Sequence, residues 1–545
     1  MGDPSDLASP VMSTDLDYDV LIIGAGLSGL YSLICMRRLG LRTRVIERGS
    51  DVGGVWYWNR YPGARFDSES YTYAFTFSKE LLDEWNWKEH FSAQPDTLRY
   101  INYITDKFDL RPHVEFHAEV KSARYREDSH SWLLTNQHGH TYTSRFLINA
   151  LGPLTTLTLP NIPGVHDYKG LAYHTSRWPH EPISFENKRV GVIGTGATGI
   201  QTIQEVGKTA KSLHVFQRTA NWTAPMRNND ITPEEMKTLR ANYPEIYNKC
   251  KNSPMGFMFQ PDPRNTFDVP QEERQAFWEE LYKTRGLAKW VGNFKDLYMN
   301  QEANDEFSKW MANKVRQRVH DPVIAEKLIP KDHGFGLRRV PLENRYYELF
   351  NRENIQLVDL RETPITKITE HGIKTTSEEI ELDMIIYATG FDALTGSYEE
   401  IDYHGENGVT LKEKWAKGPQ TYLGLTVRGF PNMFNIMGPH QALGNIPHSI
   451  EYAVQWVSRF MQYMLDNKIT YINADKEGEE EWTEHVFGLT EGLLSVKIDS
   501  WMTGVNSNRA GKQQRRIIRY YGSNLEFRRR CEEAAANGYK HFIQA

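Results

Sequence analysis

Four times along this chain a short apolar, β-branched run ends at or beside glycine: 19–23 (DVLII), 188–193 (KRVGVI), 382–390 (LDMIIYATG) and 430–439 (FPNMFNIMGP). Such runs are strands buried on both faces of a parallel sheet. The first meets GAGLSG at 24–29 and then apolar residues at helical spacing, Leu30, Leu33, Ile34 and Met36. A further strand is expected at 42–46. The second run meets GTGATG at 194–199, with a following strand at 212–216. From about 221 to 330 the pattern changes to long polar–apolar helical segments, such as 270–284 and 304–319, with few glycines and no strands expected. Helical spacing returns at 449–465.

Twice, then, the order is strand, glycine turn, helix, strand, which predicts an α/β chain with two Rossmann-like dinucleotide-binding domains and a helical insertion in the second. At 545 residues there is room for three or four cores. The expected division is a disordered acidic tail at 1–16, a first nucleotide domain from 17–150 and 389–545, a linker and second nucleotide domain from 151–220 and 331–388, and the insertion at 221–330. The uncharged stretch 20–36 contains three glycines and is slightly short for a membrane span, so a buried strand–turn–helix explains it better.

A net charge of −6 leaves no basic face for nucleic acid. Cys35, Cys250 and Cys531 are far apart with no CxxC, which argues against a disulfide framework and a zinc site, excludes a dithiol reductase and suits a reducing, cytoplasmic location. A soluble monomer without membrane contact is expected.

The glycines have separate tasks. Gly24 permits a tight turn, Gly26 lets a pyrophosphate approach the backbone, and Gly29 lets helix and strand pack closely. Free N–H groups at the helix start then face the phosphates. Glu47, 23 residues after Gly24, accepts from a ribose 2′-OH and repels a 2′-phosphate, so this unit suits FAD or NAD. In the second unit Gly194, Gly196 and Gly199 repeat the pattern, but Arg218 stands 24 residues after Gly194, followed by Thr219. A guanidinium offers a planar donor fork to a 2′-phosphate, which points to NADPH. The stretch GGVWYWNRYPGARFD, 53–67, reads as an aromatic loop that packs over something flat, with an isoalloxazine ring as a fitting partner.

Residues 168–179, YKGLAYHTSRWP, lie between the two glycine turns. They resemble the fingerprint FxGxxxHxxxW(P/D) of the type I Baeyer–Villiger monooxygenases, within the flavin-containing monooxygenase superfamily. Gly170, His174, Trp178 and Pro179 match, and Tyr168 replaces Phe. A second family motif, (A/G)GxWxxxx(F/Y)P(G/M)xxxD, matches at Gly54, Trp56, Tyr61, Pro62, Gly63 and Asp67. A third, FG-x-(K/R)-R, matches at 335–339, and a fourth, SWxxG, at 500–504. The resemblance covers nearly the whole chain from Asp17.

By this resemblance, Arg339 is the catalytic cation over the flavin and Asp67 positions it. Arg338 assists Arg218 at the 2′-phosphate, and Trp501 hydrogen-bonds the nicotinamide cofactor. Ser28, Val55, Trp58, Tyr73, Val120 and Ile446 join the FAD contacts, and Thr195 and Thr198 the NADPH contacts. His174 and Trp178 tie the linker. The loop GPHQALGNI, 438–446, borders flavin and substrate and is shorter than in some family members. The loop VNSNRAGK, 505–512, lacks the Pro that the family carries there. The implied activity is insertion of one atom of O2 into a ketone, through a peroxyflavin, to give an ester or lactone. The alternative is an N- or S-oxygenating flavin monooxygenase, which lacks the Trp-Pro ending and the loop Arg. A non-catalytic flavoprotein would show no NADPH consumption stimulated by ketone.

Overall fold

The computed structural model describes residues 15–545. Most of the tail expected at 1–16 lies outside the described residues; Leu16 is buried.

The first apolar run forms the strand Tyr18–Ile23 at the centre of an eight-stranded sheet. It pairs in parallel with Thr43–Ile46 on one side and Thr141–Asn149 on the other. Thr141–Asn149 also pairs with Met433–Asn435, so the chain returns to this sheet after more than half its length. Antiparallel strands Ser131–Asn136 and Val120–Arg126 extend the sheet, and Asp402–His404 closes that edge. The helices Leu27–Arg38 and Ile446–Asp466 share one apolar core beside this sheet, where Trp456 and Phe460 are fully buried. Gln455 Nε2 donates to the Tyr31 hydroxyl across them at 3.0 Å.

The second sheet has five strands, all parallel, in the order Ile355–Asp359, Ser212–Gln217, Arg189–Ile193, Met384–Tyr387, Leu171–His174. The stretch 168–179 is therefore more than a connector. Its residues Leu171–His174 are the edge strand of the second sheet, and the Tyr168 hydroxyl donates to the Leu382 carbonyl at 2.8 Å. Trp178 is buried between Tyr173 and Phe185.

Helices dominate between the two halves of this unit, including Gln271–Lys283 and Gln301–Arg318. The expectation that strands are absent there needs one correction. Ala224–Pro225 pairs in parallel with Leu342–Glu343, and a two-residue strand carries no alternation from which to read it. Likewise the aromatic loop at 53–67 contains one helical turn, Val55–Trp58.

His174, His440 and His448 are buried, and burial holds each near a pKa of about 4 against the ordinary 6.5. His174 Nδ1 accepts from the Ser176 N–H at 3.1 Å, and His440 Nε2 donates to the Ile517 carbonyl at 2.9 Å, contacts of neutral imidazoles. On unfolding they take up protons that the folded state refuses, so their contribution is complete above pH 6.5 and is lost as pH falls towards 4. Each should cost about 2 kcal/mol near pH 5. Thermal unfolding should show a clear loss between pH 7 and pH 5; an unchanged melting temperature would contradict the assignment.

Candidate functional site

Both glycine turns are sterically fixed. Gly24 has φ +103°, and a Cβ on Gly29 would lie 1.8 Å from the Gly24 carbonyl oxygen, so the helix can seat itself only without a side chain there. The second unit repeats this: Gly194 has φ +110°, and a Cβ on Gly199 would lie 2.1 Å from its carbonyl oxygen. Gly29 and Gly199 thus act through packing.

The first turn opens onto a cleft of about 1070 Å³, part of it open to solvent. Gly24, Gly26, Ser28, Glu47, Gly54, Val55, Trp56, Trp58, Tyr73, Val120 and Ile446 line it. Glu47 is 4% exposed and accepts from the Ala25 N–H at 2.7 Å and the Gly49 N–H at 2.6 Å. Burial pushes its pKa up, and those two N–H groups oppose the rise. Tyr73 stacks on Phe66 with centroids 4.2 Å apart and accepts from the Trp56 indole N–H at 3.2 Å, which fixes an aromatic wall. Trp58 has two cations over its ring, Arg177 at 4.7 Å and Arg48 at 5.3 Å from the centroid. Arg48 also pairs with Glu400 at 3.1 Å.

The loop at 53–67 reaches from this cleft to the second unit. A Cβ on Gly63 would lie 2.5 Å from the Gln201 carbonyl oxygen, so the loop rests directly on the helix Ala197–Thr209. The Tyr61 hydroxyl donates to Gln201 Oε1 at 2.7 Å, and Gln201 Nε2 returns to the Arg65 carbonyl at 3.0 Å. At the end of the loop Asp67, 7% exposed, accepts through Oδ2 from Arg339 Nη2. Its Oδ1 is buried without a partner. Burial pushes the Asp67 pKa up and the Arg339 guanidinium opposes it. Asp67 and Arg339, 272 positions apart, therefore meet where the two nucleotide units touch.

At the second turn, Thr195 Oγ1 donates to the Thr219 carbonyl at 2.8 Å, bracing the strand end that carries Arg218. Thr198 stands in the first turn of the helix, where its carbonyl accepts from Thr202 Oγ1. Arg218 Nη1 donates to Ser507 Oγ at 2.7 Å. Arg338 donates to Asp332 at 3.2 Å, and its Nε is buried without a partner. Burial lowers the Arg338 pKa; Asp332 opposes this and the nearby Arg218 cation adds to it, so the two arginines face one region. Trp501 opens a short turn capped by Ser500, whose Oγ accepts from the Met502 N–H at 3.2 Å.

Sequence reasoning left out several residues that line the first cleft. Arg48, Glu119 and Met437 adjoin Glu47, Val120 and the loop 438–446, while nothing in the neighbourhood of Glu400 announces it. The loop after Trp501, lacking its Pro, is pinned by charge instead. Lys512, nearly buried, lies 2.7 Å from both Asp392 and Glu399, and Arg509 lies 3.3 Å from Asp392. Asn506 Nδ2 donates to Thr158 Oγ1 at 3.1 Å.

Residues 18–250 match the family described as "FMO-like: Flavin-binding monooxygenase-like". Along 96% of this chain and 98% of its own length, the 2-oxo-Delta(3)-4,5,5-trimethylcyclopentenylacetyl-CoA monooxygenase of Pseudomonas putida is 45% identical. Cyclohexanone 1,2-monooxygenase of Acinetobacter sp is 40% identical, with 97% of each chain covered. Among solved structures, OTEMO in complex with FAD and NADP superposes with a TM-score of 0.94 at 44% identity, covering 97% of this chain and 100% of that one. The chain belongs to the flavin-binding monooxygenase-like family, among its Baeyer–Villiger monooxygenases.

Proposed function

We propose that this protein is an NADPH- and FAD-dependent Baeyer–Villiger monooxygenase that inserts one oxygen atom of O2 into a ketone to give an ester or lactone. The observation that carries the reading is the Arg339–Asp67 pair, a cation held by a buried carboxylate where the two nucleotide units meet.

The residues of the first cleft fit FAD. Gly26 faces Gly54 so closely that a Cβ on Gly54 would lie 2.7 Å from the Gly26 Cα, which leaves backbone alone at the cleft wall for a pyrophosphate. Glu47 supplies the ribose acceptor, and Trp56, Tyr73 and Ile446 the flat apolar walls. Arg218 and Arg338, with Gly194, Thr195, Gly196, Thr198, Gly199, Thr219 and Trp501, would hold NADPH. Bound flavin, reduced by NADPH, supplies the electrons and the activated oxygen. The role of this chain is electrostatic. When the ketone carbonyl is attacked its oxygen becomes negative, and the guanidinium of Arg339, 34% exposed and held by the buried Asp67, meets that charge. Asp67 positions Arg339 and does not itself exchange a proton with the substrate.

The competing reading, N- or S-oxygenation, gives the Arg339 cation no task. NADPH oxidation by FAD-loaded protein with phenylacetone, cyclohexanone and a long-chain 2-ketone separates the two. Ketone-stimulated turnover is expected, and acceleration by amines or sulfides alone would favour the competitor. The cofactor assignment has its own test. Arg218→Ala should raise the KM for NADPH about 10- to 100-fold, the loss of a charge-assisted phosphate contact, and leave the KM for NADH unchanged. Equal effects on both would place Arg218 elsewhere.

No helix among the described residues is long and apolar enough to cross a membrane. All three cysteines are free and buried, which supports a cytoplasmic location, and a monomer is the proposed state. Light scattering on the purified protein checks the latter.

A further inference from the structure

A guanidinium cannot escape burial by releasing its proton, so an enclosed arginine needs an acceptor. Arg318 has two, Glu343 at 2.7 Å and Glu348 at 2.8 Å. Arg339 has Asp67. Arg519 differs from both. Among the described residues it forms no ion pair and no hydrogen bond, and its Nε is sealed from solvent without a partner. Its guanidinium packs 4.7 Å from the centre of the Tyr521 ring, which is fixed by a 3.0 Å hydrogen bond from the Tyr521 hydroxyl to the Met502 carbonyl. Burial draws the pKa of Arg519 down, Tyr521 opposes this, and no carboxylate acts on it.

The position of Arg519 is as telling as its isolation. His440 holds the two residues before it, donating from Nε2 to the Ile517 carbonyl at 2.9 Å and from its N–H to the Ile518 carbonyl at 3.3 Å. His440 belongs to the segment between Met437 and Ile446, both of which line the first cleft. On the other side, the Arg516 N–H donates to the Thr503 carbonyl at 2.8 Å, tying the same stretch to the turn at Trp501. Arg519 therefore stands between a cleft-lining loop and the Trp501 turn, and the residue as a whole remains partly exposed there. An unpaired guanidinium on a partly exposed residue, backed by an aromatic ring, is the arrangement that receives an anion.

We propose that Arg519 binds an anionic group of the substrate, so that the preferred ketone carries a carboxylate or an equivalent anion away from its carbonyl. This rests on the Baeyer–Villiger reading above. A neutral ketone of the same shape would leave the cation unmatched, and that loss is the source of discrimination.

The test compares (2-oxocyclopentyl)acetate with its methyl ester, which removes the charge and keeps the ketone. The KM of the carboxylate should be about tenfold lower in the wild type. Arg519→Gln should bring the ratio of the two KM values close to one, and Arg519→Lys should keep part of the preference. The KM for NADPH should stay constant throughout. Calorimetry of the carboxylate with FAD- and NADP⁺-loaded protein reads binding without turnover. Equal KM values in the wild type, or a ratio untouched by Arg519→Gln, would overturn the proposal and leave Arg519 served by water. A raised KM for NADPH in Arg519→Gln would overturn it too, by assigning the residue to the nucleotide's phosphates. If neither ketone is oxidised but calorimetry shows carboxylate binding that Arg519→Gln removes, the anion site stands and the reaction assignment falls. Arg519→Lys keeps the test open should the Gln variant fold poorly.

Discussion

Replacing Arg339 with alanine should leave the flavin reducible by NADPH and reduce ester formation by at least about 10²- to 10³-fold, the usual loss when one donor to a developing oxyanion is removed. Two consequences of the geometry stand behind this figure. The guanidinium is what meets the charge on the attacked carbonyl oxygen. Its removal also leaves Asp67, 7% exposed and with Oδ1 already unpartnered, as a buried carboxylate without a cation. Burial then pushes the Asp67 pKa up unopposed by Arg339. Anaerobic flavin bleaching measures the reductive step and mass spectrometry the product, so the two halves of the reaction separate. Asp67→Asn should be milder, because Arg339 survives without its orienting partner. Ester formation by Arg339→Ala at wild-type rate would remove Arg339 from the mechanism.

The glycine turns predict an equally large effect of a different kind. In Gly29→Ala the new methyl would stand 1.8 Å from the Gly24 carbonyl oxygen, and in Gly199→Ala 2.1 Å from that of Gly194. Neither can be relieved by rotating a side chain, since the atom met is backbone, and each should cost at least about 3 kcal/mol locally. Gly29→Ala should be recovered without FAD, or not recovered at all. Gly199→Ala should retain FAD and its visible spectrum while NADPH no longer reduces it. Normal FAD content in Gly29→Ala would mean that the helix Leu27–Arg38 seats itself differently from the description above.

These two substitutions also mark what the amino-acid sequence makes legible. Gly24, Gly29 and Glu47 lie within 23 positions of one another, and the close approach of helix to strand imposes a residue type at each. Arg218 is readable for the same reason. The meeting of Asp67 with Arg339 across 272 positions is not written in either neighbourhood, and only the resemblance of two separate motifs suggested it. Arg48 with Glu400, 352 positions apart, had no such help. The strand Met433–Asn435 lies inside the apolar run 430–439 and is legible there, whereas Leu171–His174 is blurred for another reason. It is held by neighbours in its sheet, and a run of four residues is too brief to show a period. Thus 168–179 reads as a joint in the sequence but supplies an edge strand in the fold. The loop after Trp501 read as atypical because a Pro was missing. Its fixation by Lys512 on Asp392 and Glu399 depends on acids more than a hundred positions earlier.

The most direct test of the whole account follows the oxygen. FAD-loaded protein is supplied with NADPH, a ketone and isotopically labelled O2, and the product is weighed by mass spectrometry. One labelled atom in an ester or lactone, formed in proportion to NADPH consumed, is the predicted result. NADPH consumption that yields only labelled peroxide across neutral and anionic ketones, with label appearing instead on an amine or sulfide, would contradict the Baeyer–Villiger assignment.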